Sequence, residues 1–226
     1  HSTIGNVVHL PVDAAHVAEE RLTGRFEVDD WGRDGGAVSI GGLLANLRWS
    51  MSVGGVEHLP HRTGALVVTN SRRLALTPVM VAWALGVESG RPVRFVGRPD
   101  VAPVGALMRR VGGLLANPNE VAGALRAHQV VVVGTDSVRQ SRRAGHVDPR
   151  YVAAALRESV PVLPAAAVSA PTGRRARIEV GGPVRSRKRR RGPLAEVELA
   201  EHVQRRLQDL LDEMGGAPVL DWIGET

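Results

Sequence analysis

The stretch "GALVVTNSRRLALTPVMVAWAL", Gly64 to Leu85, decides the fold. Leu66 to Thr69 reads as a buried strand, the chain breaks at Thr69-Asn70-Ser71, and a helix follows near Pro78–Leu85. A strand that opens onto a helix is where α/β proteins place their chemistry. The residues put there are Ser71, Arg72 and Arg73, with no histidine and no carboxylate behind them. The position is that of an active site, and the side chains are not those of one.

Working outward, the same alternation repeats. "VRFVG" (Val93 to Gly97) is a short apolar strand, and "PVGALMRRVGGLL" (Pro103 to Leu115) reads as a helix whose proline suits a first turn. "PNEVAGALRAH" is a further helix, with Asn117 or Asn119 able to cap it. "QVVVVG" (Gln129 to Gly134) is an all-β-branched run, the mark of a strand buried on both faces. A helix at Pro149–Glu158 leads into "VPVLPAAAVSA", and "ARIEVGGPV" supplies another strand. The last helix, residues 193–214, carries an apolar stripe of Leu194, Val197, Val203, Leu207, Leu210, Leu211 and Met214, and Gly215-Gly216 end it. Packing of that stripe on its own domain outweighs use as a partner-binding coiled coil, although a protein partner there stays open.

Strands alternating with helices predict an α/β fold, a single domain with a mostly parallel central sheet covered on both faces. Residues 1–36 have no sustained period and read as an extension that is poorly ordered or draped over the surface. The domain is expected to span 37–226, beginning with a helix at Ala37–Trp49 in which Val38, Leu43, Leu44, Leu47 and Arg48 recur at helical intervals.

The 226 residues suffice for one large domain with a real core. Hydrophobic residues make up 43% but aromatics only 3%, so Val, Leu and Ala must build that core. Without cysteine there are no disulfides, thiolate nucleophiles or cysteine-bound zinc. No apolar run reaches bilayer length, and nothing at the start reads as a leader peptide. The expected setting is cytoplasmic, with peripheral contact at the inner face of the membrane. The contact would come from "RSRKRRR" (Arg185 to Arg191), a basic loop that concentrates much of the net charge of +6 and favours phosphate-rich partners. A solvated surface loop accounts for the same residues equally well.

Motif tests exclude several chemistries. The chain has no phosphate-binding Gly-x-x-x-x-Gly-Lys-Ser/Thr loop, no Gly-x-Gly-x-x-Gly after a strand and no Gly-x-Ser-x-Gly elbow. His58 and His61 lie in a turn-like "EHLPH" without a third ligand, so no metal site is expected. Two strand ends remain: Asn70-Ser71-Arg72-Arg73, and "GTDSVRQSRR" (Gly134 to Arg143) after the valine run. In a parallel sheet both leave the same edge and can share a crevice. Together they offer Ser71, Arg72, Arg73, Asp136, Ser137, Arg139, Arg142 and Arg143. Forked guanidiniums and small hydroxyls suit an anion, whereas nothing in the set titrates near neutrality as a general base must.

The order of segments resembles the glycerolipid acyltransferase superfamily, of the lysophosphatidic acid acyltransferase type. Five pieces carry the resemblance: "VGGVEHLP" (Val53 to Pro60), "LVVTNS" (Leu66 to Ser71), "FVGRPDVAPVGALMRRVGGLL", "VVVVGTDSVR" and "VPVLP" (Val160 to Pro164). The resemblance implies a base histidine and an orienting aspartate in a His-x-x-x-x-Asp pattern at the end of the second piece. This chain has Ser71 and Leu76 there. The segment that holds glycerol phosphate in the family, Pro-Glu-Gly-Thr-Arg, falls on Thr135-Asp136-Ser137-Val138-Arg139, so Asp136 and Arg139 keep an acid and an arginine. The arginine expected after the glycine-rich helix is replaced around Ala116-Asn117.

Both halves of the catalytic pair are therefore missing, while the anion-binding groups persist. A serine without a base cannot take the proton of an acceptor hydroxyl. The reading is a non-catalytic acyltransferase-fold protein that binds acyl-CoA or an anionic lipid, with no cofactor. Two other readings stand beside it: acyl transfer through water-mediated or substrate-assisted proton removal, and a basic nucleic-acid binder. Tyr151, two phenylalanines and four tryptophans, 3% of the chain, leave little stacking surface, which argues against nucleic acid.

Overall fold

The computed structural model describes residues 50–71, 76–97, 104–136, 143–169, 175–185 and 192–215. The 1–36 extension and the helix expected at 37–49 lie outside them. The described chain runs β1 (Ser50–Gly54), a 3₁₀ turn (Val56–His58), β2 (Ala65–Thr69), α1 (Leu76–Ser89), β3 (Val93–Val96), α2 (Val104–Arg110) and β4 (Gly113–Leu114). It continues through α3 (Pro118–Arg126), β5 (Val130–Gly134), α4 (Pro149–Arg157), β6 (Val162–Ser169), β7 (Arg175–Val180) and α5 (Pro193–Gly215). The strands form one seven-stranded sheet in the order β1-β7-β6-β2-β5-β3-β4. Every neighbouring pair is parallel except β6 with β7. This is the mostly parallel α/β domain that the alternation predicts.

The valine run explains how the sheet is covered. Side chains alternate along a strand, so Val131 and Val133 face one way and Val130 and Val132 the other. Val131 and Val133 join Leu66 and Val68 against Val121 and Leu125 of α3, Val152 and Ala155 of α4, and Leu199 and Val203 of α5. Val130 and Val132 join Ala65, Val67 and Leu163 against Val81 and Leu85 of α1 and Phe95. Small aliphatic side chains fill both layers, which a chain so poor in aromatics requires.

Local signals set the helix ends. Asn117 is the residue that caps α3, its Oδ1 accepting the Asn119 N–H at 2.9 Å. Both α3 and α4 stop in the same way: His128 (φ 59°) and Ser159 (φ 57°) take the left-handed conformation. Gln129 N–H then bonds Ala124 O at 3.1 Å, and Val160 N–H bonds Ala155 O at 3.1 Å, closing two Schellman motifs without glycine. In "VGGVEHLP", Gly55 (φ 73°) has no alternative, because a Cβ there would sit 2.0 Å from the Val180 carbonyl oxygen. The turn that follows drops Leu59 into the core, and the His58 Nδ1–H donates to Val180 O at 2.9 Å.

The structure corrects the sequence reading in three places. The helix expected over 103–115 ends at Arg110, because Gly112 turns the chain (φ 95°) and Gly113-Leu114 pairs with Phe95-Val96 as β4. A strand, β1, precedes Gly55; its two serines, alternating with Met51 and Val53, hide the apolar pattern. Leu194 (69% exposed) and Val197 (41%) leave the stripe of α5, and Leu199 and Ala200 replace them. With 3.6 residues per turn, Leu194 points nearly opposite to Leu199, Val203 and Leu207. The remaining stripe packs α5 on its own domain, with Leu207, Leu211 and Met214 against Ala166 of β6.

The αL residues give a test. Ser159 is exposed and its backbone strain is that of any side-chain-bearing residue at φ 57°. Ser159→Gly should raise stability by about 0.5–1 kcal/mol, measured by urea denaturation; an equal loss would mean that the strain is absent.

Candidate functional site

The site begins with how β2 and β5 end. In the parallel ladder Thr69 is level with Gly134, so both strands stop at the same height on the same edge. The bonding continues one step further: Thr135 N–H donates to Thr69 O at 2.9 Å. The two loops expected to share a crevice leave the sheet side by side.

Asn70 turns β2 out of the sheet. It is 2% exposed, and its side-chain amide meets Ala167 of β6 on both sides: Nδ2–H donates to Ala167 O at 2.9 Å, and Oδ1 accepts Ala167 N–H at 2.8 Å. An amide side chain carries the same donor and acceptor as a peptide unit. Asn70 thus completes the ladder with its side chain while its main chain departs toward α1.

Ser71 comes next, at the position of the base histidine in the resemblance. It is 5% exposed, and its N–H donates to the Thr135 hydroxyl at 3.3 Å. A Cβ on Gly134 would lie 3.3 Å from Ser71 Cβ, 3.4 Å from Ser71 Oγ and 2.9 Å from Cγ of Pro78 in the first turn of α1. Gly134 therefore lets Ser71 and α1 close onto the sheet. Leu76, at the position of the orienting aspartate, is the first residue of α1.

The β5 side is held from behind. Thr135 donates its hydroxyl to Asp136 O at 3.3 Å, and Asp136 N–H bonds His146 O at 2.9 Å. The returning chain passes so close that a Cβ on Gly145 would sit 1.9 Å from Asp136 O, and only glycine fits. Gln208 of α5 accepts the Ala144 N–H at 3.0 Å, tying the same return to the last helix. Asp136 itself is exposed at this edge, as is Arg143.

Of the residues expected to form the site, Ser71, Leu76, Asp136 and Arg143 are described. Arg72, Arg73, Ser137, Arg139 and Arg142 lie outside the described residues, as does all of the basic loop beyond Arg185, which is exposed. Sequence reasoning missed Thr69, Thr135 and Gly145, and it gave Asn70 no role. The one visible signal was a threonine on each side of the strand ends. Among the described residues no group of three His, Asp or Glu is placed to hold a metal, and no helix is long and apolar enough to cross a membrane.

The loop that closes the β5 side ends at Asp148, which caps α4 by accepting the Arg150 N–H at 2.9 Å. The Arg150 guanidinium also grips the carboxylate, with Nη2–Oδ2 at 2.7 Å, and this bond holds the Asp148 carboxyl below the usual carboxylate range. Because the folded value is depressed, the contribution is present above the ordinary value of about pH 4 and is lost as pH falls below it. Asp148→Asn keeps a capping oxygen but removes the charge. Its stability should fall less steeply than that of the wild type between pH 6 and pH 3, in thermal melts; parallel acid limbs would contradict the assignment.

The Asn70 clamp is tested by stability as well. Asn70→Ala leaves the Ala167 N–H and C=O without partners and should cost about 2–4 kcal/mol. Asn70→Asp should be no milder, since a carboxylate oxygen then faces the Ala167 carbonyl. Urea titration reads both; a loss under 1 kcal/mol for both variants would remove the clamp from the account.

No protein-family model matches the chain, and no curated protein matches it in sequence. In structure it is similar to the crystal structure of the 1-acyl-sn-glycerophosphate (LPA) acyltransferase PlsC from Thermotoga maritima. The TM-score is 0.61 at 17% identity, over 92% of this chain and 90% of that one. This match over nearly the whole of both chains shows that the chain has the PlsC-type acyltransferase fold.

Proposed function

We propose that this protein is a non-catalytic member of the acyltransferase fold that binds acyl-CoA or an anionic lipid. The observation that carries the reading is Ser71. It stands at the strand end where a base would act, is buried, and lies close over Gly134. The neighbouring group, Thr135, is another neutral hydroxyl, bonded to Ser71 through the main chain. Neither can accept a proton near neutral pH, and Leu76 cannot orient or stabilise a cation.

Binding survives the loss of the base because it uses different residues. Arg72, Arg73 and Arg139, with Asp136 and Ser137, supply the contacts to a phosphate-bearing ligand, the guanidiniums through charge-assisted and bidentate bonds. Peripheral membrane contact through Arg185–Arg191 is supported by the exposed Leu194 and Val197 that follow it at the start of α5. Cations near anionic headgroups and apolar side chains at the interface act in the same direction.

The test is an acyl-transfer assay with acyl-CoA and lysophosphatidic acid. Loss of a positioned base costs about 10²–10⁴ in rate, so the wild type should show no transfer above background. Ser71→His combined with Leu76→Asp should restore a modest rate. Robust wild-type turnover that disappears in Ser71→Ala would contradict the proposal and establish an active enzyme.

A further inference from the structure

Thr69 closes β2 and is fully buried, and its hydroxyl has no hydrogen-bond partner among the described residues. A hydroxyl sealed from water without a partner is costly, and buried polar groups are otherwise paired in folded proteins. Thr135, on the neighbouring strand end, illustrates the ordinary case: its hydroxyl accepts from Ser71 N–H and donates to Asp136 O. Thr69 keeps a donor in reserve at the place where the chemistry of this fold is expected.

Strand geometry places that donor on a definite side of the sheet. Thr69 shares the face of Ala65 and Val67, which is the face covered by α1, and Ser71 lies two positions on. Gly134, level with Thr69 in the ladder, points its missing side chain toward Ser71 and Pro78. Thr69 thus lies on the face of the sheet on which Gly134 meets Ser71 and Pro78 of α1. The described groups meeting there, Thr69, Ser71, Gly134 and Pro78, are uncharged. A single buried donor suits a neutral carbonyl, which needs only one, better than a phosphate, whose several charged oxygens each need a partner.

We propose that the Thr69 hydroxyl is the donor that receives the thioester carbonyl of a bound acyl group, so that the crevice tells an acylated ligand from a bare one. The inference rests on the reading of the crevice as an acyl-ligand site. It adds a residue that no acid–base argument selects, and it assigns the neutral end of the ligand to the α1 face of β2.

The test is calorimetric titration of the whole chain with hexadecanoyl-CoA and with its thioether analogue, in which a methylene replaces the carbonyl. Thr69→Val keeps the shape and removes the hydroxyl. The variant should bind the thioester about tenfold more weakly than the wild type and the thioether equally well. Its melting temperature without ligand should rise, since the unpaired hydroxyl is gone; a merely structural defect would lower it. Equal thioester affinity in the two proteins, or equal losses for both ligands, would overturn the role of Thr69. A wild type that binds neither ligand would overturn the functional reading itself, and this inference with it.

Discussion

The candidate site depends on two parallel strands ending level and on one amide that stops the first of them. β2 and β5 reach the same height at Thr69 and Gly134, and Asn70 then satisfies the backbone of β6 with its side chain. Without that substitution the Ala167 N–H and C=O would need another buried partner, and β2 would have to continue as a strand. With it the main chain is released toward α1 at a fixed point. Ser71 is caught by Thr135, and Thr135 is itself bonded to the main chain of Thr69. The platform is therefore built from short, local bonds across the strand ends, braced behind by Gly145 and by Gln208 of α5.

Such a platform separates scaffold from chemistry. A fold positions a strand end, but turnover needs a group of suitable pKa at that point, and the two properties reside in different side chains. Here the strand-end residues are mutually bonded, and the residue where the resemblance puts the base is a buried serine. The described residues of that edge are hydroxyls and main-chain groups bonded to one another. The proposed function assigns to this edge the holding of a ligand without its transformation.

Much of this was legible in the sequence, for reasons that also explain the rest. Val130 to Val133 forms a run apolar on both sides, which only a doubly covered strand satisfies, and the helix there predicted to start near Asn117 carries its own cap. Such signals are local. β4 has two residues and β1 interleaves serines, so neither produces a period long enough to read. The stripe of α5 was drawn from the identity of its residues. Leu194 looks apolar but lies on the wrong side of the helix, while Ala200 is small enough to be overlooked. The Asn70 clamp was beyond reach because its partner lies 97 residues further along the chain. An asparagine after a strand is an ordinary turn residue until the sheet order shows which backbone it faces.

The central claim is that the crevice binds an acyl-bearing anionic ligand and does not process it. Native mass spectrometry of the purified chain, before and after incubation with acyl-CoA, tests this most directly. The account predicts a stoichiometric adduct with the mass of the intact acyl ligand, stable over time and without accumulation of free CoA. An unliganded chain after incubation, a nucleic-acid adduct, or steady release of CoA with a transferred acyl group would contradict it.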